Sequence, residues 1–302
     1  MTVPPFIDTH HHLWDLENNP YPWLVEPIDH FVGDYSTIRK SWLIDDLHKA
    51  SINLDLLKSV HVQAEWDHDG DPVDETAWLQ GVADDPESKG MPNAIVAYAN
   101  LSDPNVEATL ERHAAYTNWR GVRYMLNWSD KQPNFCFAEA GGLMSDPQWR
   151  EGFKLLSSFG GSFDLQVWPW QLQEAAKLGH DIPEVPMILN HTAMPIGRSP
   201  NELRIWRKGL EALGAVPNVS AKISALGMLD QTWTVESIAP FVLDTIEILG
   251  IERCMFASNF PVDSLFSDYA TVWNAYNEIT ADFTQEERNK LFKTNAEKYY
   301  RI

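Results

Sequence analysis

Phe6-Ile7-Asp8-Thr9-His10-His11-His12 opens the chain with a short apolar run that ends in three histidines. Along a strand, residues i and i+2 share a face. His10 and His12 therefore project together from the end of the first strand, while His11 is expected to turn outward or into a loop. Two imidazoles converging on one point suit zinc or another borderline divalent ion.

The rest of the chain continues the rhythm that this strand begins. Buried parallel strands read as nearly continuous apolar stretches, because helices cover the sheet. Eight such stretches are expected as strands: Pro5–His10, Ser59–Glu65, Ala94–Asn100, Gly121–Leu126, Phe163–Val167, Pro186–Asn190, Val219–Ile223 and Cys254–Ala257. Helical patterns lie between and after them, over Trp42–Leu57, Asp74–Asp84, Asn105–Tyr116, Pro147–Phe159, Trp170–Leu178, Ser199–Leu213, Val235–Leu249 and Tyr269–Ile279, with Thr284–Tyr300 closing the chain. Asp146-Pro147 and Ser199-Pro200-Asn201-Glu202 carry helix-start chemistry, a cap followed by proline in the first turn. Eight alternations of strand and helix predict an α/β fold, a single-domain (β/α)8 TIM barrel over residues 1–302. Residues 14–41, rich in Pro, Trp and acidic side chains, interrupt the alternation after the first strand and are expected to form a lid or pocket wall over the C-terminal face.

Composition narrows the partners. The 302 residues include 43 acidic and 23 basic side chains, a formal net charge of −20. Such a surface repels phosphate backbones and anionic lipid headgroups, so no nucleic-acid and no membrane partner is expected. A small-molecule substrate remains, and an anionic one needs local arginines to overcome the overall field. Two cysteines, Cys136 and Cys254, make no disulfide framework, and the first residues lack a basic segment followed by an apolar run. A cytoplasmic, soluble protein is expected. The oligomeric state is not legible.

Other residues join the histidine pair at the same end of the barrel. His191 follows Met187-Ile188-Leu189-Asn190 and so sits at the end of the sixth strand. Arg123 lies further toward that end of the fourth strand than Arg120, and its planar fork matches a carboxylate. Gln63 and Glu65, Gln166 and Trp168, and Lys222 and Ser224 alternate at three further strand ends. Of these, Glu65 is weighted as a ligand or base, and Gln166 and Trp168 as substrate contacts. His61, His113 and His180 read as strand-start or helix-surface residues. Thirteen tryptophans suggest apolar pocket walls, a stacking surface that serves sugars and aromatics alike.

The combination of Ile7-Asp-Thr-His-His-His12, Arg120-Gly-Val-Arg123, Leu189-Asn-His-Thr-Ala-Met-Pro195, Val219-Ser-Ala-Lys-Ile-Ser224 and Cys254-Met-Phe-Ala-Ser-Asn-Phe-Pro-Val-Asp263 resembles the amidohydrolase-related family, in the branch containing sugar-acid lactonases and 2-pyrone-4,6-dicarboxylate lactonase. The resemblance spans nearly the whole chain, to Asn295-Ala-Glu-Lys-Tyr299. It implies that His10, His12 and His191 surround the substrate, and that some members hold a divalent metal there while others work without one. It also implies a water-activating aspartate at the end of strand eight, where this chain has Asn259. An amide has no useful basicity near neutral pH. Asp263 and Glu65 are the candidate replacements.

The reading that follows is hydrolysis of a small carboxylated or sugar-acid lactone. His10, His12 and His191 would polarise the carbonyl, directly or through a metal such as zinc, and Arg123 would bind the carboxylate. A decarboxylase of the same superfamily is the alternative, and a barrel that binds its ligand without catalysis is a third.

Overall fold

A computed structural model describes residues 2–302. Eight strands in chain order form one parallel sheet: β1 (Phe6–His11), β2 (Leu56–Val62), β3 (Ala94–Ala97), β4 (Trp119–Met125), β5 (Ser162–Gln166), β6 (Met187–Leu189), β7 (Val219–Ile223) and β8 (Cys254–Phe256). Each consecutive pair is parallel. The seam between β8 and β1 is closed just past the strands. His12 N donates to Phe260 O (2.7 Å) and Asn259 N to His10 O (2.8 Å). The (β/α)8 barrel expected from the alternation is the fold.

Two apolar layers hold it. Ile7, Val60, Val62, Val96, Ile188 and Met255 fill the barrel, and Tyr300 of the last helix plugs its lower end with a fully buried ring. A larger layer packs the sheet against the surrounding helices, among them Pro147–Ser158, Pro200–Gly214 and Val235–Leu249. The start signals operate as read. Asp146 accepts from Trp149 N, and Ser199 and Glu202 form a reciprocal capping box.

The first helix differs from expectation. Trp42–Leu57 reduces to Ile44–Ala50, and β2 already begins at Leu56. The Leu54, Leu56 and Leu57 run has too few residues for its period to separate helix from strand. Phe6 pairs with Leu56, and Phe6 N donates to Asp55 O, which draws the run into the sheet. β2 consequently ends at Val62, and Gln63 and Glu65 lie beyond it rather than alternating on it. The terminal helix is also interrupted, with a wider π turn over Lys290–Thr294 between Gln285–Asn289 and Asn295–Tyr300.

The insertion after β1 is pinched at its base by an antiparallel bridge between Trp14 and Trp42. It has its own apolar cluster, in which Tyr21, Leu24, Val32, Tyr35 and Ile38 pack with Trp66, Trp168 and Met228. That cluster sits over the C-terminal ends of the strands.

One carboxylate stitches the seam from behind. Asp8 accepts from Ser258 N (2.9 Å), Ser258 Oγ (2.6 Å) and Tyr269 OH (2.9 Å). Burial raises its pKa to about 6 against the pull of those bonds. His10 N donates to the same carboxylate (3.3 Å), so replacing Asp8 by alanine strands four buried donors, and Asp8→Ala is expected to cost about 2–4 kcal/mol. A urea midpoint equal to that of the wild type would contradict this role.

Candidate active site

Residues just beyond four of the strands adopt left-handed backbone without being glycine. They are Glu65 after β2 (φ 58°), His191 after β6 (φ 56°), Ala225 after β7 (φ 56°) and Asn259 after β8 (φ 59°). Thr192, Ala193 and Met194 continue the left-handed run. Each such residue costs of order 1 kcal/mol or more, and such strain concentrates at functional sites. All of it lies at the C-terminal mouth of the barrel, where enzymes of this architecture keep their chemistry.

Three imidazoles meet there. The ring of His10 lies 5.0 Å from that of His12 and 4.5 Å from that of His191, centroid to centroid. All three are buried, and burial is the first cause that holds each well below the ordinary histidine pKa, with nearby Lys222 or Arg123 adding to it. They are neutral at pH 7, so each ring has one donor and one acceptor nitrogen.

The neighbours choose which is which. His12 Nδ1 faces Val62 O at 2.7 Å; a carbonyl only accepts, so Nδ1 carries the proton and Nε2 keeps its lone pair. His10 Nδ1 faces the Lys222 ammonium at 3.4 Å; an ammonium only donates, so here Nε2 carries the proton. That Nε2 is buried and has no protein partner. His191 Nδ1 is paired with Ser224 Oγ at 2.9 Å.

Lys222 lies within the barrel, fully buried, with Nζ 2.5 Å from Asp164 Oδ1. Tyr300 OH donates to the same oxygen at 2.9 Å. Burial pulls the lysine down to about 8, and Asp164 opposes the shift. Sequence reading noticed Lys222 and Ser224 only as polar strand ends. It missed Asp164 because nothing in the local pattern marks a mid-strand aspartate as a lysine's partner.

The remaining expected residues gather around a cavity of about 300 Å³, which has His12, Glu65, Arg123, Gln166, His191 and Asn259 among its lining groups. Arg123 Nη1 donates to Gln166 Oε1 (3.0 Å) and Nη2 to Gln63 O, while its Nε is buried and unpaired. Gln63 clasps Glu65, donating from Nε2 to Glu65 Oε1 (2.5 Å) and accepting from Glu65 N (2.7 Å).

Asp263, Trp168 and His10 stand behind the cavity rather than in its wall. Asp263 Oδ2 accepts from Asn259 Nδ2 at 2.7 Å, and its carboxyl also accepts from the backbone of Gly227 and Met228. Burial raises its pKa to about 7. Since Asn259 spends its NH2 group on Asp263, its carbonyl oxygen is the end left for a ligand. Trp168 is fully buried, gives its Nε1–H to Phe135 O (2.7 Å), and packs beneath Phe31 and Phe137.

Three histidines depart from expectation. His11 is fully buried, not turned outward, and faces His61 edge-on at 5.8 Å. A register irregularity between Asp8 and His11 breaks the simple alternation. His61 is also buried, in β2, and His113 tucks its ring between Thr76 and Tyr98 O.

In its placement, at the C-terminal mouth of a (β/α)8 barrel, this cavity is the candidate active site. The chain belongs to the amidohydrolase family, whose model matches residues 7–302. It is 44% identical over 297 residues, 98% of each chain, to the uncharacterised protein y4mH of Sinorhizobium fredii. It is 26% identical over 310 residues, 98% of this chain and 96% of the relative, to L-fucono-1,5-lactonase of Burkholderia multivorans. A solved amidohydrolase of B. multivorans with bound zinc shares the fold at TM-score 0.81 and 24% identity, covering 99% of this chain and 100% of that one. Among the described residues, no helix is long and apolar enough to cross a membrane.

Among the described residues, no three His, Cys, Asp or Glu side chains are arranged to hold an ion. His10 Nδ1 is taken by the Lys222 ammonium, which leaves Nε2 protonated and without a lone pair, and Asn259 stands where the resemblance implies a carboxylate. The nearest charges are the cations Lys222 and Arg123. This surrounding favours a partially negative oxygen over a divalent cation, so His10, His12 and His191 gather as expected but do not fit a metal as they stand.

Asp164→Leu leaves a buried ammonium unpaired and is expected to cost about 3–5 kcal/mol, whereas Asp164→Leu with Lys222→Met removes both charges and recovers most of that loss. Urea unfolding of the two variants checks this. Equal stability of the single and double variants would contradict it.

Proposed function

We propose that the protein opens a small lactone carrying a carboxylate, by attack of water on the ring carbonyl. The observation that carries this reading is the floor itself: neutral imidazoles with fixed tautomers, backed by two buried cations, at the mouth of the barrel. Preorganised donors of that kind stabilise the oxyanion that forms when a carbonyl is attacked.

The roles follow from the hydrogen bonds. The developing oxyanion lies over the histidine floor, where the Nε2–H of His10 and the Lys222 ammonium behind it supply positive potential. Arg123, with a free Nε–H and Gln166 beside it, binds the substrate carboxylate. The carbonyl oxygen of Asn259 and the lone pair on His12 Nε2 orient the attacking water. Glu65, the carboxylate that lines the cavity, accepts a proton from that water. As the ring C–O bond breaks, Glu65 returns the proton to the departing ring oxygen, which becomes the product hydroxyl. Lactone opening thus creates one new carboxylate, releases one net proton near neutral pH and produces no carbon dioxide.

The family and the relative named as an L-fucono-1,5-lactonase support a hydrolase that acts on a small molecule. The carboxylate preference rests on Arg123.

A pH-stat assay over a panel of lactones tests the reaction. Proton release without carbon dioxide is expected, and carbon dioxide from an unsaturated acid would favour the decarboxylase instead. His12→Ala should lower kcat by about 10²-fold. Arg123→Gln should act mainly by raising KM, since it removes binding shared by ground and transition states. Unchanged turnover in His12→Ala would sink the mechanism. Because no step passes through a metal, dialysis against a chelator should leave kcat/KM unchanged. Activity lost on dialysis and restored by zinc would contradict that part.

A further inference from the structure

The cavity is divided by height. Its polar groups belong to the floor, at the strand ends, and its upper wall comes from the insertion after β1 and the loop after β4. The wall is aromatic, and its polar atoms are already spent. Trp14 Nε1 donates to Lys40 O (2.7 Å) and Trp23 Nε1 to Ala64 O (2.9 Å). Tyr35 OH donates to Trp23 O (3.0 Å) and accepts from Ile28 N (2.7 Å). The Cys136 thiol donates to Ser129 O (3.2 Å). His30 Nδ1 accepts from Val32 N (3.3 Å), and its ring is stacked near Trp23 and Phe137. Burial holds His30 near a pKa of about 4, so it is neutral. What these side chains offer a ligand is ring faces and edges, with the other ring nitrogen of His30 as the exception.

The charges are equally sparse. Among the lining residues, Arg123 is the single arginine or lysine, and Glu65 the single carboxylate. A second carboxylate on the ligand would find no cation and would lie in the field of Glu65.

We infer that the substrate is a monoanion with an apolar, preferably aromatic or unsaturated, body, and not a polyhydroxylated sugar lactone or a dicarboxylate. This rests on the lactone-opening reading for the reaction but not for the binding. The carboxylate sits at Arg123, the reacting carbonyl over the histidines, and the apolar body against Trp23, Phe31 and Phe137. A sugar can lay a C–H face on these rings, but a hydroxyl turned toward the wall gives up its water without replacement, a discrimination of up to about 10²-fold for one added hydroxyl. A sugar lactone carries several.

Isothermal titration of the purified protein with 4-phenylbutanoate and with gluconate, two monoanions of opposite body, reads the wall without requiring turnover. 4-Phenylbutanoate is expected to bind at least about 10²-fold more tightly. Gluconate binding as tightly or more tightly, or no saturable binding of 4-phenylbutanoate, overturns the inference. Phe137→Asn and Phe31→Asn, checked for native circular dichroism, should each weaken 4-phenylbutanoate by about tenfold and leave gluconate unaffected. Uniform weakening of both ligands also counts against the inference.

Turnover is then scored separately on an aryl-substituted butyrolactone carboxylate and on galactono-γ-lactone. If the aryl acid binds but neither lactone opens, the hydrolytic reading fails while the wall inference stands. If galactono-γ-lactone is the better substrate, the wall inference falls and the hydrolytic reading stands.

Discussion

A lysine and an aspartate sealed inside the barrel set the terms for everything above them. Taking two charges out of water costs several kcal/mol per ion, so Lys222 and Asp164 persist only because they meet directly and Tyr300 supplies a further bond. The pair fixes what the floor of the site can be. An ammonium beneath His10 makes Nδ1 an acceptor, puts the remaining proton on Nε2 and adds positive potential under the cluster. The same charge makes the site a poor home for a divalent cation and a good one for an oxygen that becomes negative during reaction.

The layers above obey complementary demands. At the strand ends the backbone is bent into left-handed conformations so that Glu65, His191 and Asn259 reach one cavity. Asp263 takes up the amide of Asn259 and turns its carbonyl oxygen into the useful end. In the proposed mechanism, asparagine at the position where the resemblance implies an aspartate orients water, and the base is Glu65. Higher still, the insertion contributes rings whose polar atoms face backbone groups, the feature on which the inferred apolar body of the ligand rests, as its inferred charge rests on Arg123.

Much of this was legible in the sequence, and the reasons are local. The (β/α)8 alternation repeats eight times, so errors at single boundaries such as Trp42–Leu57 did not disturb it. The convergence of His10, His12 and His191 is legible because an apolar strand ending in histidine is a pattern a few residues long. What escaped depends on contacts distant in sequence. Lys222 meets Asp164 across 58 residues and His10 across 212. His11 and His61 were misplaced because burial inside a barrel is set by register, and β1 breaks its register at that point. Strand alternation predicts Trp168 as a substrate contact, but Phe137 of the loop after β4 and Phe31 of the insertion after β1 come between it and the cavity.

The proposed chemistry depends on opposite tautomers in two neighbouring rings. Nitrogen-15 NMR of histidine-labelled protein at pH 7, with His10 and His12 assigned by substitution, reads them directly. His10 is expected as the Nε2–H tautomer and His12 as the Nδ1–H tautomer, both neutral. Finding both rings in the same tautomer, or either one as an imidazolium, would contradict the arrangement from which the chemistry is derived.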